Sequence, residues 1–300
     1  GKPCRYGESS GGAIFMDLKS SIASIENTFI GNEASMNGGA IYLSNMKNAY
    51  IRNNMIQNNK ATRGGGVFVE KMEITISNSS FTSNMALGGG GGAIYWSGNS
   101  PPAENFVKYV DNNAWYGANR GTDARSVVVS PKYVTTRNDG LFQLNAKLAD
   151  YYGNKYLDET FTVDLSTSSD AVLVSNNGLK KTYKASDPKG LNFDSLLLRA
   201  VPGNHTISID GGGSTLQGGT NNAFVSACLS GEKLSLDPQI AKATFCEKCS
   251  AGTKQTFQMI NATKVAICSS CPDNEVQDKA GQTFCTKCIS PRIANVEKTQ

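Results

Sequence analysis

The chain has 300 residues, with 29 Lys and Arg against 25 Asp and Glu and a net charge of +4. Its basic residues are scattered, which leaves no electrostatic footprint for nucleic acid. No apolar run approaches the ~18 residues that a membrane helix needs, and the length suggests two or three modules rather than one core.

The first module repeats itself. Gly11-Gly12-Ala13-Ile14-Phe15 returns as Gly38-Gly39-Ala40-Ile41-Tyr42, Gly64-Gly65-Gly66-Val67-Phe68 and Gly91-Gly92-Ala93-Ile94-Tyr95. The offsets are 38 − 11 = 27, 64 − 38 = 26 and 91 − 64 = 27. Fixed periods of this size mean stacked units, none able to bury its apolar face alone. Each unit holds two short β-like runs, many Gly and Asn and no helical periodicity, which predicts a right-handed parallel β-helix over residues 1–125. Alternation within each run places Ile14, Ile41, Val67 and Ile94, then Met16, Leu43, Val69 and Trp96, inside. Phe15, Tyr42, Phe68 and Tyr95 then form an outer aromatic ladder, followed by Asp17, Ser44, Glu70 and Ser97. Four aromatics in register make an apolar stripe, and such a stripe marks an interaction surface.

A second echo, Phe29-x-x-Asn32, Met55-x-x-Asn58 and Phe81-x-x-Asn84, predicts Phe29, Met55 and Phe81 in the core. Its asparagines should stack where the chain turns, bonding to the rungs above and below. Asn113 to Asn119 reads as one more, degenerate rung, for four to five in all, with no N-terminal cap in evidence. These paired signatures resemble the repeats of the polymorphic outer-membrane adhesins and their β-helical relatives on microbial and protist surfaces. The resemblance implies an adhesive or structural role.

Parallel β-helices also host polysaccharide lyases and hydrolases, and sugar hydrolysis needs two carboxylates at a controlled separation. Asp17 and Glu70 fall two rungs apart with Ser44 between them and no Arg, Lys or His at matching positions. They read as solvated surface charges. The one histidine, His205, lies inside a glycosylation sequon, where exposure is expected. No catalytic, cofactor-binding or metal-binding residue is expected, and the chain is read as a non-enzyme.

From about residue 126 to 210 the pattern changes to short alternating runs between turn residues: Ser126–Val129, Leu141–Leu148, Phe161–Leu165, Ala171–Val174, Leu196–Leu198 and His205–Ile209. About seven strands are the number expected for an immunoglobulin-like β-sandwich. The Asp150-Tyr151-Tyr152-Gly153-Asn154 turn and the Pro202-Gly203-Asn204 turn resemble immunoglobulin-like modules of cell-surface adhesins and filamin-like rods, here without a core disulfide. Asp150, Asp158, Glu159 and Asp164 match no calcium-loop spacing.

Gly211-Gly212-Gly213-Ser214 and Gly218-Gly219-Thr220 predict a Gly-rich linker over 211–227. Seven of the eight cysteines follow it, six of them in the pairs Cys246/Cys249, Cys268/Cys271 and Cys285/Cys288. A zinc ribbon is the alternative. A left-over third pair, and a sequon inside the loop, oppose it. Cys249-Ser250-Ala251-Gly252-Thr253, Cys271-Pro272 and Cys285-x-x-Cys288 resemble ephrin-receptor-like and tumour-necrosis-factor-receptor-like cysteine loops. That resemblance implies the bonds Cys249–Cys268 and Cys271–Cys285 and, by extension, Cys228–Cys246, over a cysteine-rich module of 228–300. Cys4 and Cys288 are left without partners, which suggests a segment cut from a longer protein.

Cysteine usage and three sequons, at Asn78, Asn204 and Asn261, agree on an oxidising, extracellular setting. The sum is an all-β extracellular or cell-surface glycoprotein that assembles into a filament, coat or flagellar hair. A carbohydrate-binding adhesin using the ladder as a stacking platform is the alternative, and a β-helical lyase or hydrolase is the weaker one. Expected partners are copies of itself, other surface proteins or glycans, with no nucleic acid, membrane contact or cofactor.

Overall fold

The computed structural model describes residues 9–17, 22–98, 100–138, 140–157, 160–184, 187, 190–211, 216–237, 243–260 and 263–288. Cys4, Asp158, Glu159 and Asn261 lie outside these.

The N-terminal module is a β-solenoid of parallel strands with three main faces. The first face stacks Ile14–Asp17, Ile41–Ser44, Val67–Glu70, Ile94–Ser97 and Arg120–Thr122. The second stacks Ile22–Ile25, Asn48–Arg52, Ile74–Ser77 and Ala103–Asn105, and the third Thr28–Ile30, Met55–Gln57, Ser80–Thr82 and Lys108–Val110. Paired glycines before the first face have separate duties. Gly38 has φ +66°, which favours a residue without Cβ. Gly39 sits so close to the next rung that a Cβ there would lie 2.1 Å from Gly65 O.

Ile41, Leu43, Val67, Val69, Ile94 and Trp96 fill the interior, with Ile14 and Met16 partly buried against them. On the third face the expected register slips by one residue in the second rung. Phe29 pairs with Ile56, and Ile56 with Phe81. Ile56 is therefore the buried residue, and Met55, expected inside, is 42% exposed. The asparagine ladder follows the corrected register, as Asn32, Asn59, Asn84 and Asn112 rather than through Asn58. Asn59 Oδ1 accepts from the Asn32 backbone N–H (2.8 Å) and amide (2.9 Å), and Asn84 Oδ1 does the same for Asn59 at 3.1 and 2.9 Å. Each amide also donates to a carbonyl of the preceding rung: Asn59 to Phe29 O and Asn84 to Ile56 O. Buried backbone groups at the corner thus find partners that water would otherwise supply.

Residues 124–225 form two facing sheets. One runs Ala124–Ser130, Leu141–Asp150, Leu191–Ala200, Ala171–Ser175; the other runs Tyr133–Thr136, Gly219–Val225, Gly203–Asp210, Thr160–Thr167, Lys180–Lys184. All neighbours are antiparallel except Tyr133–Thr136 with Gly219–Val225. Val129, Leu144, Phe193 and Leu198 from the first sheet meet Val163, Ile207, Ala223 and Val225 from the second in one apolar cluster. The expected linker therefore holds a strand. Residues 219–225 form a strand paired along its length with Gly203–Asp210, because Ala223 and Val225 alternate inward despite the polar Thr220-Asn221-Asn222. His205, expected exposed, is 5% exposed: it shares the inward side of its strand with Ile207 and Ile209, its Nε2 2.8 Å from Val201 O.

Three hairpins follow: Glu232–Leu236 with Thr244–Lys248, Thr253–Ile260 with Thr263–Ser270, and Glu275–Val276 with Thr286–Lys287. Disulfides join Cys228 to Cys246, Cys249 to Cys268 and Cys271 to Cys285. Apolar residues are sparse here, and closing loops of 14–19 residues contributes about 3 kcal/mol each in the chain-entropy model. The first hairpin is fixed to the sandwich by buried Asn138, whose Oδ1 accepts from Ala200 N–H (2.8 Å) and Thr244 Oγ1 (3.5 Å), and by an Arg199–Asp237 ion pair.

Candidate interaction surface

The ladder on the outer side of the first face is a column of parallel rings. Phe15–Tyr42, Tyr42–Phe68 and Phe68–Tyr95 centroids lie 4.9, 5.4 and 5.2 Å apart, with interplanar angles of 4°, 12° and 7°. Strand spacing in a parallel sheet dictates that separation, so the rings stack because the backbone does. Its exposure is graded, from 58% at Phe15, through a half-buried Tyr42, to 5% at Phe68 and 0% at Tyr95. Phe68 and Tyr95 belong to the same apolar cluster as the sandwich core, through Tyr116 and Tyr156, whose rings meet edge to face at 5.2 Å. The expected four-ring outer stripe is thus closed at one end by this chain's own next module.

Beside the rings runs a second column, Asp17, Ser44, Glu70, Ser97 and Asp123, in which acid and serine alternate. Tyr42 Oη donates to Glu70 Oε2 of the next rung (2.6 Å), and Tyr95 Oη to Asp123 Oδ1 of the next (2.7 Å). Ser97 Oγ also donates to Asp123. Burial, and then the Glu70 bond, push the Tyr42 hydroxyl up to about 12. Burial also raises Tyr95, with the Tyr116 and Asp123 neighbours adding to it. Asp17 accepts from the Asn45 amide at 2.9 Å, and Glu70 pairs with Lys71 at 3.3 Å. Each carboxylate is engaged with its own rung or an adjacent one. Glu70 and Asp123 as hydroxyl acceptors were missed in the sequence, although the Asp-Ser-Glu-Ser alternation, continued 26 residues past Ser97 (123 − 97), carries the signal.

The solenoid's C-terminal end is stopped by the Asp150–Asn154 turn. Trp96 Nε1 donates to Tyr152 Oη (3.0 Å), with Tyr151 and Tyr152 edge-on to the indole at 5.5 and 6.5 Å. Arg125 lies over Trp96 and Arg120 over Tyr152, at 5.3 and 4.6 Å, within cation–π range. Asp150 shapes the turn: Oδ1 accepts from the Tyr152 and Asn154 N–H groups (2.9 and 2.8 Å), and Oδ2 from the Asn154 amide (2.9 Å) and the Thr122 N–H (3.3 Å). Burial nevertheless pushes its carboxyl up. Asp150 is thus engaged at the joint, and among the described residues no group of three or more His, Cys, Asp or Glu could hold a metal ion. One bend residue, Asp123, separates the last solenoid strand from the first sandwich strand. Of the sequon asparagines, Asn78 and Asn204 are exposed.

Residues 7–114 match the family described as right handed beta helix region. No curated protein matches the chain. Among solved structures, it is similar to domains 1–6 of the surface layer protein SbsC at 13% identity, over 53% of this chain and 23% of that one, with a TM-score of 0.27. A second structure, of the S-layer protein rSbsC(31–844), gives 14%, 53%, 23% and 0.27, and SbsC domains 5–6 give 13%, 56%, 99% and 0.25. The chain spans less than a quarter of the first two structures.

Proposed function

We propose that this chain is a rigid structural segment of an extracellular surface protein, built to hold its modules at fixed angles within a filament, coat or hair. The observation that carries the reading is the joint at residues 120–125. Trp96 and Thr122 of the solenoid interlock with Asp150, Tyr151 and Tyr152 of the sandwich, and Arg125 of the first sandwich strand lies over Trp96, with one bend residue between the strands. A joint with a continuous apolar cluster across it transmits orientation, where a polar linker would not. Three disulfides support an oxidising compartment. The sandwich is read as immunoglobulin-like. Its neighbour order matches A-B-E-D facing G-F-C, with Tyr133–Thr136 and Lys180–Lys184 as additional edge strands.

The exposed end of the ladder, Phe15 with Tyr42, is the part left for a neighbouring subunit. Two rings span about 5 Å, too short a platform to favour a polysaccharide adhesin over subunit contact. Small-angle scattering and electron microscopy of the secreted protein test the reading. A single extended particle shape at all concentrations, with filaments at high concentration, is expected. Scattering typical of modules tumbling independently would refute it, as would free thiols at the six bonded cysteines.

A further inference from the structure

Each corner of the solenoid is turned by a column of residues in left-handed backbone. Between the second and third faces the column is Asn53, Asn78 and Phe106, with φ of 54°, 47° and 53°. Ser77 pairs with Asn105 and Ser80 with Lys108, both at an offset of 28 (105 − 77 and 108 − 80), so Asn78 and Phe106 are equivalents on successive rungs. Parallel strand spacing sets them ~4.8 Å apart, and the Asn78 N–H donates to Asn105 O at 3.0 Å.

Asparagine suits this backbone. A bulky side chain does not, and phenylalanine there is a genuine outlier. Nor is Phe106 compensated by burial, since at 91% it is the most exposed large hydrophobic residue described. A strained and uncovered aromatic points to something that covers it. The neighbouring residue in the column names a source. Exposed Asn78 opens the sequon Asn78-Ser79-Ser80, whereas Asn53-Asn54-Met55 is not one.

We propose that Asn78 carries an N-linked glycan whose first N-acetylglucosamine lays its apolar face on the Phe106 ring. Attachment joins Asn78 Nδ2 to the sugar C1, breaks the C1–O bond to a lipid diphosphate donor and releases one amide proton with that leaving group. Once attached, the sugar's axial C–H bonds face the electron-rich side of the ring. The shared bend and register put the two groups side by side without a rearrangement of the corner. The inference rests on the extracellular reading above.

The test uses the full chain secreted from a eukaryotic host, with occupancy mapped by peptide mass. Asn78 is expected to be occupied. Peptide-N-glycosidase should release its glycan from folded Phe106→Ser about two- to tenfold faster than from the wild type, the range of one aromatic contact. Phe106→Trp, which keeps a ring, should stay close to the wild type. Removing the sugar should lower the wild-type Tm by about 3 °C and leave Phe106→Ser unchanged. Equal release rates overturn the proposal, as does an empty Asn78 beside an occupied Asn204. Self-association of the sugar-free wild type that Phe106→Ser abolishes overturns it in favour of a protein partner. If no sequon is occupied and the cysteines stay reduced, the extracellular reading itself falls, and this inference with it.

Discussion

The graded ladder makes a quantitative prediction, because four chemically similar rings at equivalent positions should differ widely in energetic weight. Phe68→Ala removes a ring that is 5% exposed, stacked on both sides and continuous with the sandwich core. A cavity at such a site costs about 3–5 kcal/mol. Phe15→Ala removes a ring that is 58% exposed and stacked on one side, worth roughly 1 kcal/mol. For a cooperative unit of solenoid plus sandwich, each kcal/mol moves Tm by about 2–4 °C, so Phe68→Ala should lower it by roughly 6–20 °C and Phe15→Ala by roughly 2–4 °C. Thermal scans following tryptophan fluorescence, in a Trp115→Phe background that leaves Trp96 as the single indole, read the transition at the joint itself. Equal shifts for the two variants would refute the graded burial, and with it the claim that the sandwich closes the ladder.

Four further outcomes follow from other contacts. Gly39→Ala should prevent the solenoid from forming, since its Cβ would lie 2.1 Å from Gly65 O and 2.6 Å from both Lys60 N and Lys60 O; loss of β-sheet circular dichroism measures it. Asn84→Leu strands the Asn59 N–H and the Ile56 carbonyl, at about 2–4 kcal/mol, read as a lower urea midpoint. The Tyr42 hydroxyl, pushed up to about 12 from 10.0, contributes stability fully present below pH 10 and lost as pH rises through 12; Tyr42→Phe should flatten the stability curve across that window. Replacing Cys249 and Cys268 together by Ser should cost about 3 kcal/mol in the C-terminal hairpins, with chelators having no effect on the wild type in urea titrations.

Much of the solenoid was legible because its constraint is local and repeated. Gly-Gly before each strand answers to a left-handed backbone and a close rung, and both are written in the residues themselves. The third face was harder. Met55 and Ile56 are both apolar, and the true offsets of its asparagines, 59 − 32 = 27, 84 − 59 = 25 and 112 − 84 = 28, wander enough for either register to fit. Residues 219–225 looked like linker because their outward side chains are Thr, Asn and Phe around small glycines, and only pairing with a neighbour makes them a strand. The joint was invisible for a different reason. Trp96 and Tyr152 are 56 residues apart, and no periodicity in either segment announces that one will stop the other. The partial burial of the ladder follows from that same long-range contact.

The alternation of Phe with Tyr in one column, and of acid with serine in the other, has a consequence for how such a shaft can change length. Each tyrosine reaches one rung forward to a carboxylate, and each phenylalanine reaches none. Adding or deleting a single repeat would set two tyrosines or two phenylalanines in succession and leave a hydroxyl facing serine, or a carboxylate facing a bare ring. Adding two restores every bond. The natural unit of growth is therefore a pair of rungs, about 9.6 Å, so the spacing between whatever lies on either side of this module is adjustable only in steps of that size.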